Sequence, residues 1–186
     1  MPPVEPMQDT HTTTAVPWDE AGHLEVLTFD LGGETFAVEA VLVREILDLL
    51  PETRVPGAAA LVRSVVNFRG KIIPIADLAQ AFAMPSAEAT LDSRIVVIEI
   101  ALAGEPLQIG IRTDKVHEVT TLAQTAAEDP PAVGMRWRRH FVRTLVRRPE
   151  GVVVLPDLHA IFAAHLGGDA LHRPDVPTLA AAGATR

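Results

Sequence analysis

The feature that most constrains the fold is a degenerate internal repeat. Val116–Val119 resembles Val43–Ile46 at an offset of 73 residues, and Asp157–Ala163 resembles Asp77–Ala83 at an offset of 80 residues. Each half contains a hairpin pattern, a single strand, a second hairpin pattern and an Asp-led segment typical of a capped helix. Repeated units of this kind indicate a duplicated small β-barrel. The sequence therefore predicts a mainly β protein made of two small barrel subdomains with short helices.

The best-defined unit of the first half is Val65–Leu78. It is apolar at both ends and breaks at an Asn-Phe-Arg-Gly turn, where Gly70 supports a tight reversal because glycine adopts positive φ angles. The segment predicts strand, turn and strand, and it places Arg69 at an exposed hairpin tip. Asp77 is the predicted N-cap of a short helix, and Gln80 completes a capping-box pattern.

The other elements are predicted from apolar patterning and turn residues. Val41–Leu47 fits either a strand or one helical turn followed by a strand, and Ala58–Val62 favours a short helix. The remaining predicted strands are Leu24–Leu31, Thr35–Val38, Arg94–Leu102, Leu107–Ile111 and Val152–Leu155.

The composition changes near both ends of the sequence. Residues 1–22 are rich in Pro and Thr, and residues 167–186 are rich in Gly, Pro and Ala. Such segments bury too little apolar surface to offset the entropy lost on ordering them. We therefore expect a disordered N-terminal tail over 1–22, the barrel domain over 23–166, and a flexible C-terminal tail over 167–186.

Charge and residue types exclude several classes of protein. A net charge of −8 at pH 7 argues against general nucleic-acid binding, which needs a basic surface. The absence of cysteine excludes disulfides, thiolate metal sites and cysteine nucleophiles. The first residues do not resemble a secretory signal, and no apolar run is long enough to span a bilayer. We expect a cytoplasmic protein without membrane insertion.

No motif predicts an enzyme. Asp77 and Asp157 could form a carboxylate pair for acid–base chemistry, but both precede predicted helices, where Asp is a preferred N-cap. Asp114, His117 and Glu118 lack the spacing of a metal site. The sequence has no Walker A, dinucleotide-binding or hydrolase motif. We therefore predict no catalytic residue, no metal and no cofactor.

The segment Arg136–Arg148 contains six arginines in an otherwise acidic chain. Trp137, Phe141 and Leu145 recur within it at helical spacing, which favours an apolar inner face with solvated arginines outside. The alternative is a basic surface that docks an acidic partner or a nucleic-acid backbone.

Several motifs, in order, resemble the CheW family of chemotaxis coupling proteins. They are Phe29–Gly32, Val43–Ile46, Val55–Pro56, Asn67–Gly70 with the Ile-Pro and Asp-Leu pairs that follow it, and Gly110–Val116. The similarity runs from about Leu24 to Phe162. It implies two SH3-like β-barrel subdomains and no catalytic activity.

The resemblance also implies partners. CheW proteins bridge the cytoplasmic tips of methyl-accepting chemotaxis receptors and the regulatory domain of the histidine kinase CheA. By position, residues that match partner-binding places in the family are Val43, Glu45, Asn67, Arg69 and Gly110. The groove between the subdomains would take the receptor's helical hairpin. Independently, an arginine at a hairpin tip can bind a carboxylate across an interface.

Three positions depart from the family pattern. Ser64 and Thr144 stand where glycine is usual, and Ala59 stands where proline is common. If those glycines allow close approach of a partner, docking is altered here. Two alternatives stay open: a coupling protein of a divergent chemosensory pathway with a non-motility output, or a β-barrel module that binds through Arg136–Arg148.

Overall fold

The structure is a computed structural model that describes residues 13–131 and 137–166. The strands are β1 (His23–Leu31), β2 (Glu34–Glu39), β3 (Val43–Asp48), β4 (Thr53–Arg54), β5 (Ser64–Phe68), β6 (Lys71–Ala76), β7 (Arg94–Leu102), β8 (Glu105–Thr113), β9 (Lys115–Ala123), β10 (Ala127–Glu128), β11 (Val142–Arg148) and β12 (Gly151–Pro156). The α-helices are α1 (Leu78–Ala81) and α2 (Leu158–Leu166), and 3-10 turns cover Ala40–Leu42, Gln124–Ala126 and Arg139–Phe141.

The strands form two six-stranded sheets with the same internal order. The first barrel is built from the sheet β10-β11-β12-β2-β1-β9, and the second barrel is built from β4-β5-β6-β8-β7-β3. Each sheet has one parallel pair at the matching place, β12 with β2 and β6 with β8, among antiparallel neighbours. The predicted mainly β fold and its duplication are therefore confirmed.

The barrels do not coincide with the two halves of the sequence. The hairpin β1–β2 of the first half joins β9–β12 of the second half, whereas β7–β8 of the second half joins β3–β6 of the first half. Within the described residues the chain passes between the barrels twice, through the turn Ala40–Leu42 and through Asp114 alone. Each barrel therefore combines strands from both repeats.

Three apolar clusters hold this arrangement together. One fills the first barrel and includes Val26, Leu122 and Val153. Another fills the second barrel and includes Ile75 and Ile95. The third and largest draws buried residues from both barrels and from both helices, among them Phe29, Phe36, Phe82, Ile98 and Phe162. Because strands bury one face inside a barrel and the other between barrels, the two subdomains share a continuous core.

Asp77 and Asp157 both cap helices, as predicted. The carboxylate of Asp77 accepts from the backbone N–H of Ala79 at 3.1 Å, and that of Asp157 accepts from the N–H of Ala160 at 2.9 Å. The capping box predicted with Gln80 is wrong, because the Gln80 amide donates to Ser86 Oγ instead. Capping accounts for both aspartates and leaves no observation in favour of a catalytic pair.

The segments before the hairpins β1–β2 and β7–β8 each contact the helix cap of their own barrel. Thr14 donates its backbone N–H to Asp157 at 2.7 Å, and Ser86 donates its hydroxyl to Asp77 at 2.8 Å. Trp18 packs against the core of the first barrel. Residues 13–22, which the sequence analysis placed in a disordered tail, therefore include specific contacts with the first barrel. The predicted tails over 1–12 and 167–186 lie outside the described residues.

Two local predictions were wrong, and one open alternative was decided. Ala58–Val62 forms turns rather than a helix. The ambiguous stretch Val41–Leu47 resolves into the end of a 3-10 turn followed by β3. The helical spacing within Arg136–Arg148 was misleading, since β11 covers Val142–Arg148 and pairs with β12. Tertiary pairing outweighed local periodicity there.

Candidate partner-binding surface

The turn between β5 and β6 presents Arg69 to solvent. Arg69 has a φ of +50° and Gly70 a φ of +80°, and the turn is fixed by a hydrogen bond from the Gly70 N–H to the Asn67 side-chain oxygen at 3.0 Å. The Arg69 guanidinium lies 4.6 Å from the centre of the Phe68 ring, and 75% of the side chain is exposed. The predicted exposure of this arginine is confirmed.

A glutamate from another strand lies next to Arg69. Glu45 of β3 approaches the Arg69 guanidinium with an N–O distance of 3.4 Å. This contact brings together two residues that the sequence analysis named, one on the edge strand β3 and one in the β5–β6 turn, although β7 and β8 separate those strands in the sheet order. An ion pair this exposed contributes about 0–1 kcal/mol to stability. It therefore orients the arginine more than it stabilises the fold, and a partner's carboxylate can compete for it.

An exposed apolar residue borders the same turn. Ile72 pairs with Asn67 across the hairpin, so the two side chains share one face, and 62% of Ile72 is exposed. We call Glu45, Asn67, Arg69 and Ile72 the tip surface. An arginine flanked by apolar area is the composition expected at the centre of a protein interface. Sequence reasoning missed Ile72, although its position beside the turn was readable.

Val43 belongs to a different surface. It is half-buried and packs at the edge of the core shared by the two barrels. The register of β3 against β7 shifts between Val43 and Glu45, and a bulge of this kind changes the direction of the side chains on either side of it. Val43 thus lies at the seam between the barrels, while Glu45 lies at the tip surface.

Gly110 lies inside the second barrel rather than on its surface. A Cβ at this position would lie 2.6 Å from Ile75 Cδ1 and 2.7 Å from Ile95 Cγ2. Both isoleucines belong to the barrel core. Close packing therefore gives a sufficient reason for a glycine here, and a direct contact of Gly110 with a partner stays a prediction.

The first barrel carries a related arrangement at its own hairpin. Arg148, at the end of β11, lies 3.7 Å from Glu118 of β9, and Glu118 occupies the position that Glu45 has in the first repeat. Two exposed valines lie close to these residues in the sequence: Val119 next to Glu118, and Val152 shortly after Arg148. The repeat offset of 73 residues was the signal that could have identified Glu118.

A polar network lies next to Glu45 in the second barrel. The Glu99 carboxylate accepts from the Gln108 amide at 3.1 Å and from Arg44 at 3.2 Å. These hydrogen bonds, with Gln108 the larger cause, lower the pKa of Glu99 below its ordinary value of 4.5. Glu99 is therefore ionised at neutral pH and holds Arg44 in place beside the seam.

The basic segment Arg136–Arg148 does not form one continuous positive surface. Arg143 pairs with Glu39 in the interior. Arg147 pairs with Glu128, whose pKa is lowered by that hydrogen bond. Arg148 pairs with Glu118 and Glu150. Arg136 lies outside the described residues. These pairs neutralise much of the positive charge that a nucleic-acid surface would need.

Ser64 and Thr144, which stand where the family usually has glycine, lie in the interior of the protein. Both residues are buried. The Ser64 hydroxyl donates to Glu52 at 2.5 Å, and the Thr144 hydroxyl donates to the backbone oxygen of Glu128 at 2.9 Å. Each side chain thus ties its strand to the segment next to it, and neither is exposed to meet a partner.

The described residues supply little for catalysis or metal binding. Across 13–131 and 137–166, no group of three or more His, Asp or Glu side chains is arranged to hold a metal ion. His117 and Asp30 are paired at 2.8 Å, and Asp114 accepts from the Gly32 N–H at 2.6 Å in the β1–β2 turn. The described helices are all too short to cross a bilayer.

With this geometry established, comparison with known proteins identifies the family. The family model of the CheW-like domain matches residues 25–165. The chain belongs to the CheW family. The chemotaxis protein CheW of Rhizobium meliloti is 28% identical over 141 residues, which cover 76% of this chain and 88% of that protein. The CheW of Treponema pallidum is 28% identical over 142 residues, covering 75% of this chain and 82% of that protein.

A solved structure supports the same conclusion. The crystal structure of the scaffolding protein TtCheW from Thermoanaerobacter tengcongensis superposes with a TM-score of 0.66 and 27% sequence identity, covering 75% of this chain and 87% of that one. The predicted CheW-type fold of two SH3-like subdomains is thereby confirmed. The matched range also agrees with the motifs found between Leu24 and Phe162.

Proposed function

We propose that this protein is a cytoplasmic, non-enzymatic adaptor that couples methyl-accepting chemotaxis receptors to the regulatory domain of the histidine kinase CheA. The observation that carries the proposal is an exposed arginine, Arg69, held on a rigid turn of a CheW-family fold. The names of its relatives, which include chemotaxis and scaffolding proteins, support the same role.

Two separate surfaces of the protein support the binding of two partners. The tip surface combines one exposed cation with apolar area, and it suits a protein partner that supplies a carboxylate. The seam between the barrels, where Val43 lies at the edge of the shared core, suits the apolar face of a receptor helix. We assign the kinase to the tip surface and the receptor to the seam.

An adaptor of this kind acts by geometry. Binding both partners at once fixes the kinase relative to the receptor, so a receptor conformation that fits better in one kinase state shifts the kinase population toward that state. No residue of the adaptor has to change its covalent state. The buried core shared by the barrels keeps the two partner surfaces at a constant separation.

Co-sedimentation of the protein with receptor cytoplasmic fragments and CheA, combined with measurement of kinase autophosphorylation, tests the proposal. We expect all three to pellet together and kinase activity to rise only when the adaptor is present. Arg69→Glu should remove CheA from the pellet, because it reverses the charge of the tip surface and places a like charge beside Glu45. The matched control is Arg54→Glu, which makes the same charge change at another exposed arginine.

Each outcome has a defined meaning. Thermal unfolding should show that Arg69→Glu keeps the fold, since surface changes usually alter stability by about 0.5 kcal/mol or less. If Arg69→Glu unfolds the protein, the arginine is structural and the tip surface is wrongly assigned. If the parent protein pellets with neither receptor nor kinase, the adaptor function itself is contradicted.

A further inference from the structure

A basic cleft of about 640 Å³ lies on the first barrel and shares no residue with the tip surface. Its lining includes residues directly after β10 and residues of the 3-10 turn that leads into β11. Its charged lining residues are Asp129, Arg138, Arg139 and Arg143. Three guanidinium groups and one carboxylate therefore converge on one cavity, in a chain whose net charge is −8.

Arg143 forms the buried wall of the cleft. Only 8% of the residue is exposed, and its guanidinium is held by an ion pair with buried Glu39. The Arg143 Nε atom is buried and has no hydrogen-bond partner. Buried donors are nearly always paired in native proteins. An unpaired donor in a side chain that lines a cavity marks a place where an acceptor from a ligand would be favourable, after a small shift that brings it within reach.

Arg138 and Arg139 differ from the other arginines of the segment. Both are exposed, and within residues 13–131 and 137–166 neither forms an ion pair with a carboxylate. Arg138 stacks at 5.7 Å from the Phe141 ring, which limits its freedom. The two side chains thus add positive charge at the exposed side of the cleft. On its buried side, Arg143 is held in place by Glu39.

We propose that this cleft binds a phosphate-class oxyanion, either free or carried on a small organic molecule. Arginine forks match the geometry of phosphate oxygens. Because Glu39 pairs with Arg143 and the lining holds one carboxylate against two further arginines, the cleft keeps a net positive charge, which favours an oxyanion. The cavity volume lies within the range of small-molecule sites. This binding is independent of the adaptor function proposed above, since it uses neither the tip surface nor the seam.

Isothermal titration calorimetry of the full chain tests the site at low salt, with inorganic phosphate, pyrophosphate and ADP as probes. The test variant is Arg138→Gln/Arg139→Gln, which removes two exposed charges from the cleft. The matched control is Arg54→Gln/Arg63→Gln, which removes two exposed arginines from another cleft, on the second barrel. Both double variants change the net charge equally, and thermal unfolding checks that both remain folded.

We expect pyrophosphate to bind, and the Arg138→Gln/Arg139→Gln variant to bind it at least about tenfold more weakly, with the control within about twofold of the parent. ADP binding as tightly as pyrophosphate would show that only the phosphate oxygens are recognised, and tighter ADP binding would show that the organic part is bound too. Equal weakening of both variants would mean general charge attraction and would overturn the site. So would the absence of binding by all three probes.

Discussion

The packing of Gly110 provides the sharpest test of the structure. Gly110→Ala adds one methyl group that would lie 2.6 Å from Ile75 Cδ1 and 2.7 Å from Ile95 Cγ2. The Ile75 atom ends a flexible side chain and can move. The Ile95 atom branches from Cβ, so it moves only if χ1 changes. Overpacking of this kind costs about 1–3 kcal/mol, and loss of glycine's freedom in the unfolded chain returns about 0.4–1 kcal/mol.

We therefore expect Gly110→Ala to lower the free energy of unfolding by about 1–2 kcal/mol, which corresponds to a melting temperature lower by about 2–8 °C. Urea unfolding followed by circular dichroism measures it. Ile75→Val removes the Cδ1 atom and alone costs about 0.5–1.5 kcal/mol. In the double variant the two costs should fall short of additivity by at least about 0.5 kcal/mol, because the shortened side chain makes room for the new methyl group.

One result would contradict the packing role of Gly110. If Gly110→Ala keeps its free energy of unfolding within about 0.5 kcal/mol of the parent and instead weakens co-sedimentation with receptor or kinase, the glycine serves partner contact and not packing. The control variant is Gly104→Ala. That turn glycine has a φ of +84° with open space around it, so its cost arises from the backbone alone and should show no coupling to Ile75→Val.

Three further predictions concern the polar groups. Arg143→Met should lower the free energy of unfolding by about 3–5 kcal/mol because Glu39 is left buried and unpaired, and Glu39→Leu/Arg143→Met should recover most of the loss in urea unfolding. Asp157→Ala should destabilise more than Asp77→Ala, with each losing about 1 kcal/mol or more in the same assay, because only Asp157 is fully buried. The lowered pKa of Glu99 gives stability that is present above the unfolded-state pKa and lost as pH falls through the folded-state pKa, so Glu99→Gln should flatten the decline in melting temperature below about pH 4.5.

The sequence predicted the positions of the strands and helices better than it predicted which strands pair with each other. Both helix caps and most strands were predicted correctly, because apolar alternation and Asp before a helix are local signals. The exchange of hairpins between the repeats could not be predicted. Similarity shows which strands correspond, whereas two copies of a unit can pair within or between themselves with nearly the same contacts. The parallel pairing of Ile75 with Gly110 shows that the strands pair between the repeats. Because these two residues lie 35 positions apart, no local pattern reports their pairing.

The site was predicted only in part. Arg69 follows from turn chemistry, and the structure confirms its exposure. Its neighbour Glu45 was named through the family resemblance, but the contact between them depends on how the sheet curls, which no local pattern reports. Gly110 resembled a partner-contact position, and its burial appears only when the packing of Ile95 is known. The sequence analysis placed Arg143 in an exposed run of arginines. Its burial could not be predicted locally, because its partner Glu39 lies 104 residues away in the sequence.

The two short passages between the barrels have a mechanical consequence. One is the turn Ala40–Leu42, and the other is a single residue, Asp114, whose N–H donates to the Asp30 backbone oxygen at 2.9 Å. The two tethers join the first barrel at different points along β1, since Glu39 before the turn pairs with Val26 whereas Asp114 bonds to Asp30. Two short tethers at separate points, backed by a common core, resist bending and torsion more than one flexible linker would. The molecule should therefore behave as a rigid lever. A tilt imposed on one barrel would therefore move the other barrel with it.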